Sequence, residues 1–428
     1  YFVYIKTNSF PGYSLLFLLP FTYGILFFIF PALSRFWLGN IGLTILNGVV
    51  FIRFVISPFL HSMSIHDGTF RGYSPTPSGI NTGIRIIIIE LIVTFLIVQI
   101  FAKRFYNKKN TNREFKPLSS KIVLKGTTLI GISLLLAFPE IITRYNFFII
   151  SDDIVKLKSD FPLSGLLFLI TDLLLVIIPI LLLNFFKIRY EKHPTFLYVF
   201  LSMLAVSPAM MIFKGTSRFS VLVPSVAWLI ILLKLYPKYK KSIIATLTSL
   251  LIIVFISITL YKQFGYTQGD EIKPKNMNEI AYNFDAYFSG PDNMARAVDL
   301  KQSFGNYIDL NTMKNDIINN VVLISRFSDS ENTSAAWFNY LFYGVKGKVD
   351  QIIPLSGQSY LYFGAIGMPL LLTITLILMM FFDSKIKNEN RIEFVYIYVY
   401  LVFYLSMGMM VSFGSIYPLF TNLAIPVL

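Results

Sequence analysis

Long apolar runs, separated by short polar or basic stretches, set the pattern of this chain. They lie near 13–32, 38–60, 80–102, 122–141, 163–186, 194–213, 219–234, 242–261, 358–382 and 393–414, with a partial last run reaching Leu428. A helix rising about 1.5 Å per residue needs roughly 20 such residues to cross a bilayer core, and most of the runs come close to that. They are continuous rather than alternating, which predicts helices in place of a membrane β-barrel. The expected fold is all-α: a polytopic helical membrane protein of about ten to twelve transmembrane helices, forming one membrane-embedded domain over residues 1–428.

The largest polar insertion runs from 262 to 357. A structureless loop of that length is uncommon, so a mostly helical cap on the membrane domain is expected there. Ser289-Gly-Pro-Asp292 reads as a helix start, and Asp292 and Arg296 stand i,i+4 in the order that favours an ion pair. The segment is either a solvated helix pair or a helix that turns Arg296 towards a substrate cleft. A further amphipathic stretch, Phe147 to Leu157, is suited to lying flat on the outer membrane surface.

Composition sharpens the class. Of 428 residues, 55% are hydrophobic and only 14% charged, which excludes an ordinary soluble domain. Cysteine is absent, which removes disulfides, thiolate catalysis and thiolate metal sites. The net charge of +14 does not point to nucleic acid, because the cations are spread over loops between spans. One set comprises Lys103, Arg104, Lys108, Lys109, Arg113, Lys116 and Lys121; others are Lys187, Arg189 and Lys192, then Lys234, Lys238, Lys240 and Lys241, then Lys385, Lys387 and Arg391. These loops alternate consistently with the spans and are assigned to the cytoplasm. The connectors 61–79, 142–162, 214–218 and 262–357 then lie outside. The chain begins at Tyr1 rather than Met, so a natural N-terminus, and with it an upstream span, is expected ahead of it.

Against that orientation one turn stands out. Lys214-Gly-Thr-Ser-Arg218 joins the runs 194–213 and 219–234 and fixes two cations and two hydroxyls at an outer hairpin tip. The loop-charge bias does not call for cations there, and a phosphate would. Ionisable residues inside the spans are few: Arg53, Arg85, Glu90 and Asp172, with Glu140 near a span end. All fall towards the outer half, where they either line an outward-opening polar cavity or pair to lock helices together. His61 and His66 sit at an outer span end beside Asp67 and Arg71, where a base or a phosphate contact fits. The chain has no Walker loop, HExxH, zinc spacing or GxSxG. Outside the membrane no nucleotide sugar is at hand, so chemistry there needs an already activated donor. A lipid-linked pyrophosphate sugar is one, and cations in an outward cavity suit it.

The Lys-Gly-Thr-Ser-Arg218 tip resembles the Gly-Ser-Arg turn of bacterial Wzy-type polymerases of O-antigen and capsular repeat units. Ser356-Gly-Gln-Ser-Tyr-Leu-Tyr-Phe-Gly-Ala-Ile-Gly-Met-Pro-Leu370 is similar to the start of the span that follows the large external loop in that family. Span number, basic inner loops and one large late external loop agree with it. Arg218-Phe-Ser-Val-Leu222 also matches the R-x3-L pattern of the related O-antigen ligases. The R-x10-G pair described in some polymerases is missing, and the ligase H-x10-G occurs only as His61 to Gly72, in a different loop.

The resemblance implies a GT-C-like membrane glycosyltransferase in the bacterial cytoplasmic membrane, without metal or cofactor. A growing glycan would leave its undecaprenyl pyrophosphate carrier for the non-reducing end of a new lipid-linked repeat. By this reading Arg218 and Lys214 hold the pyrophosphate, Arg53, Arg85, Arg71 and Arg296 assist, and Asp292 or His66 takes the acceptor proton. The implied partners are the lipid-linked oligosaccharide, membrane lipid and a chain-length regulator. Two alternatives stay open: a ligase-like transferase with another acceptor, and a lipid-oligosaccharide flippase, which would call for internal repeats and short outer loops.

Overall fold

The computed structural model of the protein describes residues 1–64, 72–107, 121–139, 145–147, 164–214, 219–264, 281, 285–321, 324–345 and 351–424. In chain order the α-helices are α1 (Phe2–Thr7), α2 (Leu18–Ile29), α3 (Ala32–Phe36), α4 (Ile41–Phe51), α5 (Ser57–Ser64), α6 (Pro77–Tyr106), α7 (Lys121–Ala137), α8 (Ser164–Lys192), α9 (Phe196–Met211), α10 (Phe219–Leu235) and α11 (Lys240–Phe264). They continue with α12 (Pro291–Phe304), α13 (Leu310–Ile318), α14 (Ser334–Tyr343), α15 (Leu355–Gly367), α16 (Pro369–Asn388), α17 (Ile392–Ser406) and α18 (Phe413–Pro418). Two short strands, β1 (Tyr145–Phe147) and β2 (Ile212–Lys214), pair antiparallel, with Asn146 opposite Phe213.

The fold is helical, and among the described residues four helices are long and apolar enough to cross a membrane: Ile41–Ser64, Pro77–Tyr106, Leu166–Lys192 and Pro369–Asn388. The pair Val221–Leu235 and Pro237–Val254, bent by 115°, makes a fifth if it counts as one span. Leu18–Ile29, Leu124–Ala137, Phe196–Met211 and Ile392–Ser406 are apolar but shorter. The hydropathy runs overstate helix length because they include apolar residues in turns. The run 13–32, for example, begins in the turns before Leu18 and ends at Phe30 and Pro31, where α2 stops.

Helix boundaries follow local chemistry. Thr76 caps α6, its hydroxyl accepting from Gly79 N at 2.9 Å, and Pro77 takes the first-turn position whose missing N–H costs nothing. Lys103 and Arg104 close the same helix at the negative end of its dipole. Asp309 and Thr312 form a reciprocal capping box on α13. In α15 the backbone breaks at Gly364, whose φ of 69° is open to glycine at little cost. A π-helical turn, Ile52–Ile56, links α4 to α5 and carries Arg53.

The chain divides into two compact units. The first comprises Tyr1–Asn110, Lys273–Lys387 and Leu401–Phe420; the second comprises Thr111–Ile272, Asn388–Tyr400 and Thr421–Leu428. In the second, α8 packs on α7 and α9, and α9 packs on α10 and α11. Trp228 is buried there against Tyr396, with ring centroids 4.6 Å apart.

The first unit is built on the packing of α12 against α6. Gly79 and Gly83 on α6 face Asp299 and Ala295 on α12 so closely that a Cβ on Gly83 would lie 2.9 Å from Ala295 N. Every residue from Pro291 to Leu300 is buried, so α12 is not the solvated helix that its polar sequence suggests. Its polar groups are consumed instead. Asp299 accepts from Thr76 N at 2.8 Å and from the Thr76 hydroxyl at 2.7 Å. Asp285, ahead of α12, accepts from the backbone N–H groups of Asp292 and Asn293, both at 3.2 Å, and so caps that helix.

Candidate functional site

The residues expected to act fall into three groups. Arg218, His66 and Arg71 lie outside the described residues, as do most of the Lys214–Arg218 tip and the stretch after Phe147. Of Lys214 only the backbone is described; it ends β2 opposite Tyr145.

Arg53 and Glu90 come together, but not in an open cavity. Both are fully buried: Arg53 Nη2 lies 2.8 Å from Glu90 Oε2, and Nη1 donates to Glu90 Oε1 at 3.0 Å and to Met409 O at 2.9 Å. Ser356 donates its hydroxyl to the same carboxylate. Of the two readings open to these charges, the locking of helices is the one this pair fulfils. Arg85 is exposed and makes no part of that pair.

Asp292 and Arg296 do not form the expected i,i+4 ion pair. The Asp292 carboxylate accepts from the Tyr13 hydroxyl at 2.6 Å and lies 3.8 Å from His61 Nε2. Arg296 donates its Nε to Tyr73 O at 3.0 Å and its Nη1 to Asn293 Oδ1 at 3.1 Å, with its guanidinium over the Phe342 ring. Burial decides against the pair, because each side chain meets a closer partner from another segment than the helix itself offers.

A cavity of about 530 Å³ opens elsewhere in the first unit, built almost wholly from the 262–357 insertion and the start of α18. Asp316, Asn320, Glu331, Trp337, Tyr340 and Gln351 are among its lining residues. Its walls are set by hydrogen bonds. Asn332 accepts from Trp337 Nε1 and from the Thr312 hydroxyl, both at 3.0 Å. Gln358 bridges two helix starts, donating to Ser334 Oγ at 2.7 Å and accepting from Phe413 N at 2.6 Å. Gly414 lets Asn320 approach, since a Cβ there would lie 2.8 Å from the Asn320 amide nitrogen.

Trp337 belongs to an aromatic group with Tyr307, Phe304 and Tyr340; its ring stacks on Tyr307 at 5.6 Å. Asp316 accepts from Ser334 N with both carboxylate oxygens at 3.2 Å, and from the Tyr362 hydroxyl. Burial raises its pKa above the usual carboxylate range, and the hydrogen bonds from Tyr362 and Ser334 offset this only in part. A held carboxylate with a raised pKa, lining a cleft, is suited to proton transfer.

Sequence reading missed Asp316, Glu331 and Trp337. Their signal was a dense polar run, Asn315-Asp316 and Asn319-Asn320, followed by Asn332 and an aromatic cluster, inside an insertion read only as a cap. The segment 356–370 has a physical task in the first unit. Ser356, Gln358 and Tyr362 tie α15 to Glu90, to the starts of α14 and α18, and to Asp316.

A second cavity, of about 490 Å³, lies in the second unit among Lys187, Glu191, Lys234 and Glu389. Its lysines donate to Leu235 O and Glu389 O, which leaves them satisfied by the protein itself. No protein-family model, curated protein or solved structure matches this chain.

Proposed function

We propose that this protein is a membrane glycosyltransferase that polymerises lipid-pyrophosphate-linked oligosaccharide repeats at the outer face of a bacterial cytoplasmic membrane. One observation carries the reading: the cavity in the 262–357 insertion combines carboxylates and amides with the aromatic side chains of Trp337 and Tyr340. Sugars present hydroxyls that need paired donors and acceptors, and apolar C–H faces that pack on aromatic rings. A cavity of several hundred Å³ has room for sugar rings. Such a lining does not suit a bare lipid tail.

In this reading Asp316 takes the proton of the acceptor hydroxyl. The oxygen attacks the anomeric carbon, the bond to the lipid pyrophosphate breaks, and the pyrophosphate leaves with the electron pair. The resemblance of their turn implies that Arg218 and Lys214 bind the lipid pyrophosphate, a role that rests on the sequence of that turn alone. Asp292 drops out as the base in favour of Asp316, because it does not line the cavity.

The test is the glycan ladder of cells whose own polymerase gene is replaced by variants of this chain. Asp316→Asn and Arg218→Ala should each collapse the ladder towards a single repeat, with the protein still present in the membrane. Arg218→Lys should lose most of the ladder, since an ammonium cannot grip a pyrophosphate bidentately. Each loss corresponds to about 2–4 kcal/mol of transition-state stabilisation, roughly a hundredfold in rate. Full ladders from both Asp316→Asn and Arg218→Ala would defeat the proposal.

A further inference from the structure

Three side chains that the proposed reaction does not use converge beside α12. His61 at the end of α5, Asp285 ahead of α12 and Asp292 in its first turn each bring one ligand atom within 4.8 Å of the others. They are 5%, 2% and 3% exposed, so water does little to satisfy them. His61 Nε2 faces Asp292 Oδ1 at 3.8 Å, too far for a hydrogen bond, and among the described residues it has no hydrogen-bond partner. Neither carboxylate has a lysine or arginine within ion-pair distance among the described residues. The nearby Arg296 directs its Nε and Nη1 to Tyr73 O and Asn293 Oδ1 instead.

Two buried carboxylates beside an imidazole with an unused nitrogen make an expensive arrangement, which Arg296 relieves only at a distance and a bound cation would relieve directly. Their outer hydrogen bonds are those that orient metal ligands. Asp285 is held by two backbone N–H groups, and Asp292 by the Tyr13 hydroxyl, whose ring lies 4.8 Å from that of His61. We infer that His61, Asp285 and Asp292 form a divalent-cation site that takes Mn²⁺ or Zn²⁺. One imidazole with two carboxylates suits these ions better than Ca²⁺, which prefers six or more oxygens. Ligand atoms about 2.0–2.2 Å from an ion stand about 3–4 Å apart, so a small contraction completes the site.

The ion would tie the end of the span Ile41–Ser64 to the start of α12. The site shares no residue with the lining of the 530 Å³ cavity, so the cation reading and the glycosyltransferase reading fail or hold separately.

The experiment uses the full chain purified in detergent, stripped with chelator and titrated with Mn²⁺ under electron paramagnetic resonance. The expected result is one Mn²⁺ bound per chain, with pulsed spectra showing coupling to an imidazole nitrogen, and a melting temperature that rises with the ion. Asp292→Asn and His61→Ala should each weaken binding by about tenfold or more and remove the thermal shift. Absence of binding up to about 1 mM, a range weaker than any resident site needs, would overturn the inference. So would bound Mn²⁺ without nitrogen coupling, a reading on the native chain that does not depend on how well either variant folds.

Discussion

Arg53 shows how a single charge can be read two ways until its neighbours are known. Its guanidinium, fully buried in the π-helical turn, is held by Glu90 and by Met409 O. Removing one member of a buried pair strands the other, at a cost of about 3–5 kcal/mol. Arg53→Ala or Glu90→Leu alone should therefore lower the melting temperature of the purified protein sharply. The double change Arg53→Met with Glu90→Leu should recover most of the loss, because no charge is left unpaired. If the double variant melted as low as the singles, the pair would be serving something other than helix locking. Asp316 carries a different signature. Its raised pKa means that folding favours the protonated form, so this contribution to stability is full below the ordinary carboxylate pKa. It is lost as pH rises through the raised value. If Asp316 is the base of the proposed transfer it must be ionised, so the proposed polymerising activity should climb over the same interval in which stability falls. Melting curves and rates measured across pH on the native chain and on Asp316→Asn test this: the variant should lose both trends.

At the scale of elements, the contact of α6 with α12 matters most in the first unit. Gly79 and Gly83, one turn apart, remove the side chains that would hold α12 away, and Ala295 offers a small partner. Gly83→Leu should force a shift of backbone against backbone and cost at least the roughly 1–3 kcal/mol of an overpacked core. Gly126→Ala in α7 is the matched control, since a Cβ there meets nothing within 4 Å. It should be neutral or stabilising by up to about 1 kcal/mol through helix propensity. Monodispersity and melting temperature in detergent separate the two outcomes. α15 works in the same way through hydrogen bonds rather than shape, and its break at Gly364 lets Ser356, Gln358 and Tyr362 sit ahead of the kink.

For the whole molecule the testable quantity is sidedness. From the alternation of basic loops the insertion 262–357 is expected outside and the loop after α10 inside. The chain has no cysteine, so single cysteines can be introduced without background. Leu310, 71% exposed at the start of α13, becomes Leu310→Cys, and the exposed Lys238 becomes Lys238→Cys. An impermeant maleimide should label Leu310→Cys in intact cells and Lys238→Cys only after the membrane is opened. The reverse pattern would put the 530 Å³ cavity on the cytoplasmic side and remove the case for a lipid-pyrophosphate donor.

The sequence alone determined the helical class and the approximate position of nearly every long helix, because unbroken apolar runs leave the backbone no other way to satisfy itself in a membrane. It also marked the segment 356–370, whose serine, glutamine and tyrosine turn out to be structural ties. Which charges meet was not readable. Asp292 and Arg296 are ideally spaced along one helix, yet Tyr13 and Tyr73, far away in the chain, supply their partners. A helix as polar as α12 looks solvated from its own residues, and it is buried because Gly79 and Gly83 admit it and Thr76 bonds Asp299. The cavity was hidden for the same reason. Asp316, Trp337 and Gln351 are separated in sequence, and their convergence is fixed by hydrogen bonds between segments, an energy that no local pattern encodes.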